Sequence, residues 1–90
     1  MPQTQASNYV GSVAALTTSF AVVAPQKTSR RKLMLFNAGA NPARISFESN
    51  GLAYYEIAPN TGIQLSENPP LNAVYAASST GTTNLNVIDG

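Results

Sequence analysis

Residues 29–47 read "SRRKLMLFNAGANPARISF". A basic cluster enters an apolar run, a turn follows, and a second alternating run closes the stretch. Leu33 and Leu35 alternate with Met34 and Phe36, so both faces of that run are apolar. This pattern predicts a central strand covered on two sides. Gly39 can supply a positive φ and Pro42 ends the turn, which makes 38–42 a loop. Beyond it, Ala43, Ile45 and Phe47 alternate with Arg44, Ser46 and Glu48, the period of a half-buried strand. The two runs are expected to pair as a hairpin.

Working outward, residues 12–24, "SVAALTTSFAVVA", are rich in small and β-branched side chains. A strand centred on 18–24 is expected, with a helix over 12–18 as the alternative. "PQKTS" at 25–29 is a turn opened by Pro25. Asn50-Gly51 signals a tight turn before "LAYYEIA" at 52–58. "PNTG" at 59–62 turns again, and "IQLS" follows as a short strand. The Pro69-Pro70 pair places "ENPPLN", 67–72, outside any central strand. "AVYAAS" at 73–78 and "TNLNVID" at 83–89 are the last two strands, the latter with Leu85 and Val87 inward and Asn84, Asn86 and Ile88 on the other face. About 6–8 short strands with turns at regular spacing predict an all-β fold, a small antiparallel β-sandwich or barrel. Residues 1–11 are polar and aperiodic and read as an extended N-terminal arm; 12–90 form the single domain.

Size and composition narrow the function. A chain of 9.4 kDa folds to a surface of about 5,000 Å² from about 13,600 Å² unfolded, which buries roughly 60% and allows one thin core. Oligomerisation or docking on a larger body is a natural source of further stability. There is no Cys and no His. Disulfides are therefore excluded, the usual zinc sites lose both main ligand types, and the usual proton shuttle near neutral pH is missing. Five Lys and Arg stand against four Asp and Glu, so no global field steers the chain toward nucleic acid or membrane. So few charges fit a surface largely occupied by partners. No stretch is long and apolar enough to span a bilayer. "MPQTQASNY" lacks the basic start and apolar core of a secretion signal, so export by that route is not expected.

Three features could carry chemistry. Lys27, Arg30, Arg31 and Lys32 form the basic cluster. It reads as a solvated strand end with gatekeeper charges or as an ion-pairing contact to an acidic protein partner. Nucleic-acid modules carry more positive charge and interleaved exposed aromatics. Tyr54 and Tyr55 point to opposite faces if they share a strand. One is then core and the other exposed, together with Tyr75, as an interface or a sugar-stacking platform. Glu48 and Glu56 are the one candidate acid pair. They flank a hairpin, but a glycosidase also needs a cleft. Without His no conventional Ser triad forms, and "GSVAALTT" and "STGTT" lack the spacing and Lys of a phosphate loop. No catalytic residue, metal ligand or cofactor site is expected.

Five matching stretches, Ser29–Asn37, Pro59–Gly62, Asn68–Pro70, Ala73–Ala76 and Gly81–Val87, make residues 11–90 resemble small all-β virion structural proteins of tailed bacteriophages. The resemblance implies a non-enzymatic β-sandwich on the virion. The leading expectation is a capsid decoration (cement) protein, made in the host cytoplasm, that docks on the major capsid protein. A neck, tail or fibre module that grips host-surface glycans is the alternative. A homo-oligomer is expected, a trimer by preference, with no direct nucleic acid and no membrane. The expected contact residues are Tyr9 and Val10 in the arm, Arg30, Arg31 and Lys32 in the basic cluster, and Tyr54.

Overall fold

The computed structural model describes residues 10–90. Eight strands run in chain order: β1 Val10–Leu16, β2 Ala21–Ala24, β3 Leu33–Asn37, β4 Ala43–Ser46, β5 Tyr55–Ile57, β6 Gly62–Leu65, β7 Val74–Ser78 and β8 Thr83–Asp89. They build two four-stranded antiparallel sheets, ordered β1-β8-β3-β6 and β2-β7-β4-β5. The all-β sandwich is therefore as the strand pattern predicts. The pairs β1–β8, β2–β7, β3–β6 and β4–β5 are nested. The chain is one long antiparallel ribbon folded across two sheets, the strand order of a jelly roll.

That order corrects the hairpin expected for residues 29–47. β3 pairs with β8 and β6, whereas β4 pairs with β7 and β5 in the other sheet. The 38–42 loop crosses between the sheets instead of closing a hairpin. Strand periodicity tells which face is buried but not which strand lies alongside. β3 is a central strand, but its outer face is open: Phe36 is 43% exposed. The 12–24 stretch splits into β1 and β2, with no helix over 12–18, and Val10 and Gly11 belong to β1, not to a separate arm.

Two more local expectations need correction. Asn50-Gly51 does not form a two-residue hairpin turn. It lies inside a long 47–54 connection at the tip of the ribbon, where the Gly51 amide donates to the Glu48 carbonyl and the Leu52 amide to Asn50 Oδ1. Gly51 has φ +66° and a Cβ there would strike the Phe20 ring, so the loop packs down on Phe20. Phe47 was expected inward but is exposed, because it sits past the end of β4. Ser46 points outward yet is buried. Its hydroxyl donates to the Ala53 carbonyl and accepts from the Glu48 amide, which folds that loop over it.

Leu33, Leu35, Ile45, Val74, Leu85 and Val87 fill the space between the sheets. Each such burial stabilises by about 1.5–3 kcal/mol. At the end of β3, Asn37 is buried and acts as a bracket. Its side-chain amide donates to the carbonyls of Asn41 and Ile57. Its Oδ1 accepts from the Gly39 amide and from Thr83 Oγ1. This draws Gly39 so close to β8 that a Cβ would lie 2.7 Å from the Asn84 nitrogen and 2.8 Å from Thr83 Cα. The crossing therefore requires Gly39 for its lack of a side chain. Gly39→Ala is expected to lower the unfolding free energy by about 1–3 kcal/mol through forced overpacking. Ala40→Ser, at an exposed neighbour, should change it by less than about 0.5 kcal/mol. Urea unfolding of both variants measures the difference.

Candidate functional site

The basic cluster does not stay together. Arg30 is 3% exposed, which corrects its expected role as a surface contact. All five of its N–H donors are used. Nε donates to Asp89 Oδ1 at 2.8 Å and Nη2 to Asp89 Oδ2 at 3.2 Å. Nη2 also donates to the Pro25 carbonyl, and Nη1 to the carbonyls of Pro70 and Asn72. The fork on Asp89 is the bidentate geometry that suits a guanidinium to a carboxylate. Around it the backbone continues the closure: the amides of Arg31 and Lys32 donate to the Gly90 carbonyl, and the Gly90 amide donates to the Lys32 carbonyl. Arg30 thus joins the β2–β3 connection, the "NPPLN" loop and the end of β8. Arg31 is exposed, Lys32 and Lys27 are half-buried, and they border this clasp. Tyr9 lies outside the described residues, and the backbone of Val10 pairs with Asp89.

Tyr54 and Tyr55 are both exposed, at 48% and 58%, so the expectation that one is core is corrected. Tyr54 precedes β5, and Tyr55 stands at its first position, beyond the covered centre. Tyr54 is not an unoccupied stacking platform. The Arg44 guanidinium lies 4.7 Å from its ring centroid and the Phe20 ring packs tilted at 6.3 Å. Arg44 also pairs with Glu56 across the β4–β5 ladder, at 3.4 Å and partly exposed. Glu56 is therefore matched with a base, and Glu48 lies beyond β4 in the loop. The two carboxylates do not form an opposed acid pair. Tyr75 is half-buried in β7, opposite Val22 and Ser46. Among the described residues no group of three or more His, Cys, Asp or Glu could hold a metal ion, and no helix is long and apolar enough to cross a membrane.

Two surfaces stand out among the described residues. One is a cleft of about 520 Å³ between the sheets on their β5–β6 side, lined by Ile45, Phe47 and Tyr55 across from Ile63, Gln64 and Leu65. The other is the outer face of the β1-β8-β3-β6 sheet. Alternation and register place Val13 on β1, Ile88 on β8, Met34 and Phe36 on β3, and Gln64 on β6 on this face, with Asn84 and Asn86 between them. Val13 is 68% exposed and Ile88 38%. A shallow trough of about 440 Å³ runs beside Phe36, Ile88 and Asn86. Within the strand bounds no outward position of this sheet carries a charge. The outer face of the other sheet, by contrast, bears Arg44 and Glu56.

The sequence signal for this face was partly legible. The alternation of Asn84, Asn86 and Ile88 put them opposite the core, and Met34 and Phe36 were known to share a face. Val13 gave no signal, because nothing in 12–24 says which strand lies beside it. Compared with known proteins, the chain matches no family model and no curated protein.

The two ion pairs test burial against charge. Asp89→Asn leaves the Arg30 guanidinium, whose side chain has no exposed surface, without its counter-charge, and is expected to cost about 3–5 kcal/mol. Glu56→Gln breaks a solvent-screened pair and should cost less than about 1 kcal/mol. Parallel urea titrations at neutral pH separate the two.

Proposed function

We propose that this chain is a non-enzymatic structural protein of a phage virion, of the capsid-decoration type, which docks on the major capsid protein through the outer face of the β1-β8-β3-β6 sheet. The observation that carries this reading is the uncharged, half-apolar character of that face. Its exposed Val13, Phe36 and Ile88 resemble the charge-depleted centre of a protein interface more than a solvated sheet. Viral capsid domains are among the proteins that use the jelly-roll strand order, along with lectins and cupins. The sequence resemblance to phage structural modules points the same way. The mechanism is adhesion: each copy contributes a modest interface, and repetition over a shell makes the sum large.

A second reading, a neck, tail or fibre module that grips glycans, draws support from the Phe47 and Tyr55 cleft. Immunogold electron microscopy of intact particles separates the two. Label spread over the head supports decoration. Label at one vertex or along the tail moves the chain to the second class. Absence of label from intact and disrupted particles alike overturns both. Ile88→Lys places a charge on the docking face, on its central strand β8. It is expected to reduce head label about tenfold or more, the cost of burying an unpaired charge, while the melting temperature of the isolated protein stays near that of the wild type.

A further inference from the structure

We infer that β1 is a self-pairing edge, through which two copies of this chain join their β1-β8-β3-β6 sheets across a two-fold axis. The four sheet edges differ. β5 is three residues long, and β6 is four, enclosed by Pro59 on one side and Pro69-Pro70 on the other. β2 is four residues long, shifts register between Val22 and Ala24, and is followed by Pro25. Shortness, bulges and proline are the devices that keep a sheet edge from accepting another strand. β1 has none of them. Its seven residues, "VGSVAAL", contain no charge and no proline, and they pair in unbroken register with β8. Among the described residues nothing pairs with its other edge. A Cβ added at Gly11 would meet nothing within 4 Å.

A strand edge of this kind recognises another strand through the main chain. The charge pattern and the length select which strand. An antiparallel partner that is β1 of a second copy matches seven residues with seven. A two-fold axis through Val13 sets Val13 against Val13, Gly11 against Ala15 and Ser12 against Ala14 of the other copy. No like charges meet, and a β-branched pair lies at the centre, a favourable cross-strand combination. The other exposed edges of this chain offer only three or four residues. Closed two-fold association also leaves no further β1 edge open, so growth stops at the dimer. The outcome is one eight-stranded sheet whose outer face remains uncharged throughout. This symmetry is two-fold, in place of the trimer expected from the resemblance. The inference stands independently of where the protein acts.

The test uses the full chain. Sedimentation equilibrium over a range of micromolar concentrations should show a monomer–dimer equilibrium. Val13 is 68% exposed, so Val13→Lys leaves the monomer fold intact, checked by its melting curve, and places two ammonium groups opposite each other. It should weaken dimerisation about tenfold or more. Val13→Thr, β-branched and uncharged, should keep the dimer. The chain has no Cys, so Val13→Cys reports on the axis directly. Facing residues in an antiparallel pair have Cα atoms about 4.5–5.5 Å apart, within disulfide reach, and mild oxidation should give a covalent dimer. A monomer at all concentrations overturns the inference. So does a dimer that survives Val13→Lys, or one that does not cross-link in the Val13→Cys chain, because either places the contact on another surface or on residues preceding β1.

Discussion

The buried ion pair between Arg30 and Asp89 ties the β2–β3 connection, the "NPPLN" loop and the end of β8 together. A β-sandwich of this size encloses a thin core, and the ends of its two sheets are the places where that core would open. Arg30 closes one end by holding a carboxylate of one sheet and three carbonyls from two crossing connections. A guanidinium suits this task because its planar fork presents five donors in fixed directions. Its charge is matched, and every donor is used, so the desolvation of the pair is offset by complete hydrogen bonding. Replacing the pair by apolar residues of similar volume could be just as stable. What an apolar pair would lack is the directionality that ties Pro25, Pro70 and Asn72 to the end of β8.

Asn37 performs the neutral counterpart of this at the other end of β3. It links the 38–42 crossing, β5 and β8 with a single amide. The two clasps lie just before β3 and at its last residue, and β3 is the strand between β8 and β6. The polar groups at the sandwich ends are thus taken up internally; among the described residues no buried side-chain nitrogen or oxygen lacks a partner. The consequence for function is a division of labour. Arg30 and Asp89 are drawn inward, Arg44 and Glu56 lie on the β2-β7-β4-β5 sheet, and within its strand bounds the outer face of the other sheet is left uncharged for contact. The proposed decoration role and the proposed β1 pairing use this same sheet, the first through its face and the second through its edge.

Side-chain periodicity made the all-β class, most strand positions and the inward residues Ala43 and Ile45 of β4 and Leu85 and Val87 of β8 legible in the sequence; in β3, where both faces are apolar, it did not tell the inward face from the outward one. Alternation reports burial directly, since successive side chains leave a strand on opposite sides. Turn residues did the same for the 59–62 reversal, where Pro59 is followed by Asn60 at φ +60°, the conformation a type II turn requires at that place. Composition alone bounded the chemistry, because a chain without Cys or His cannot present the sites those side chains build.

Which strand lies beside which was decided by the tertiary structure alone. In a jelly roll nearly every connection changes sheets, so sequence neighbours such as β3 and β4 are not spatial neighbours. Partners such as β1 and β8 are contributed by opposite ends of the described chain, and no local pattern records that distance. The same limit governed the site. A run of Arg, Arg and Lys reads as one solvated patch, because a charge is ordinarily cheapest in water. Only the arrival of Asp89 and three distant carbonyls made burial of Arg30 favourable, and those groups meet it through folding.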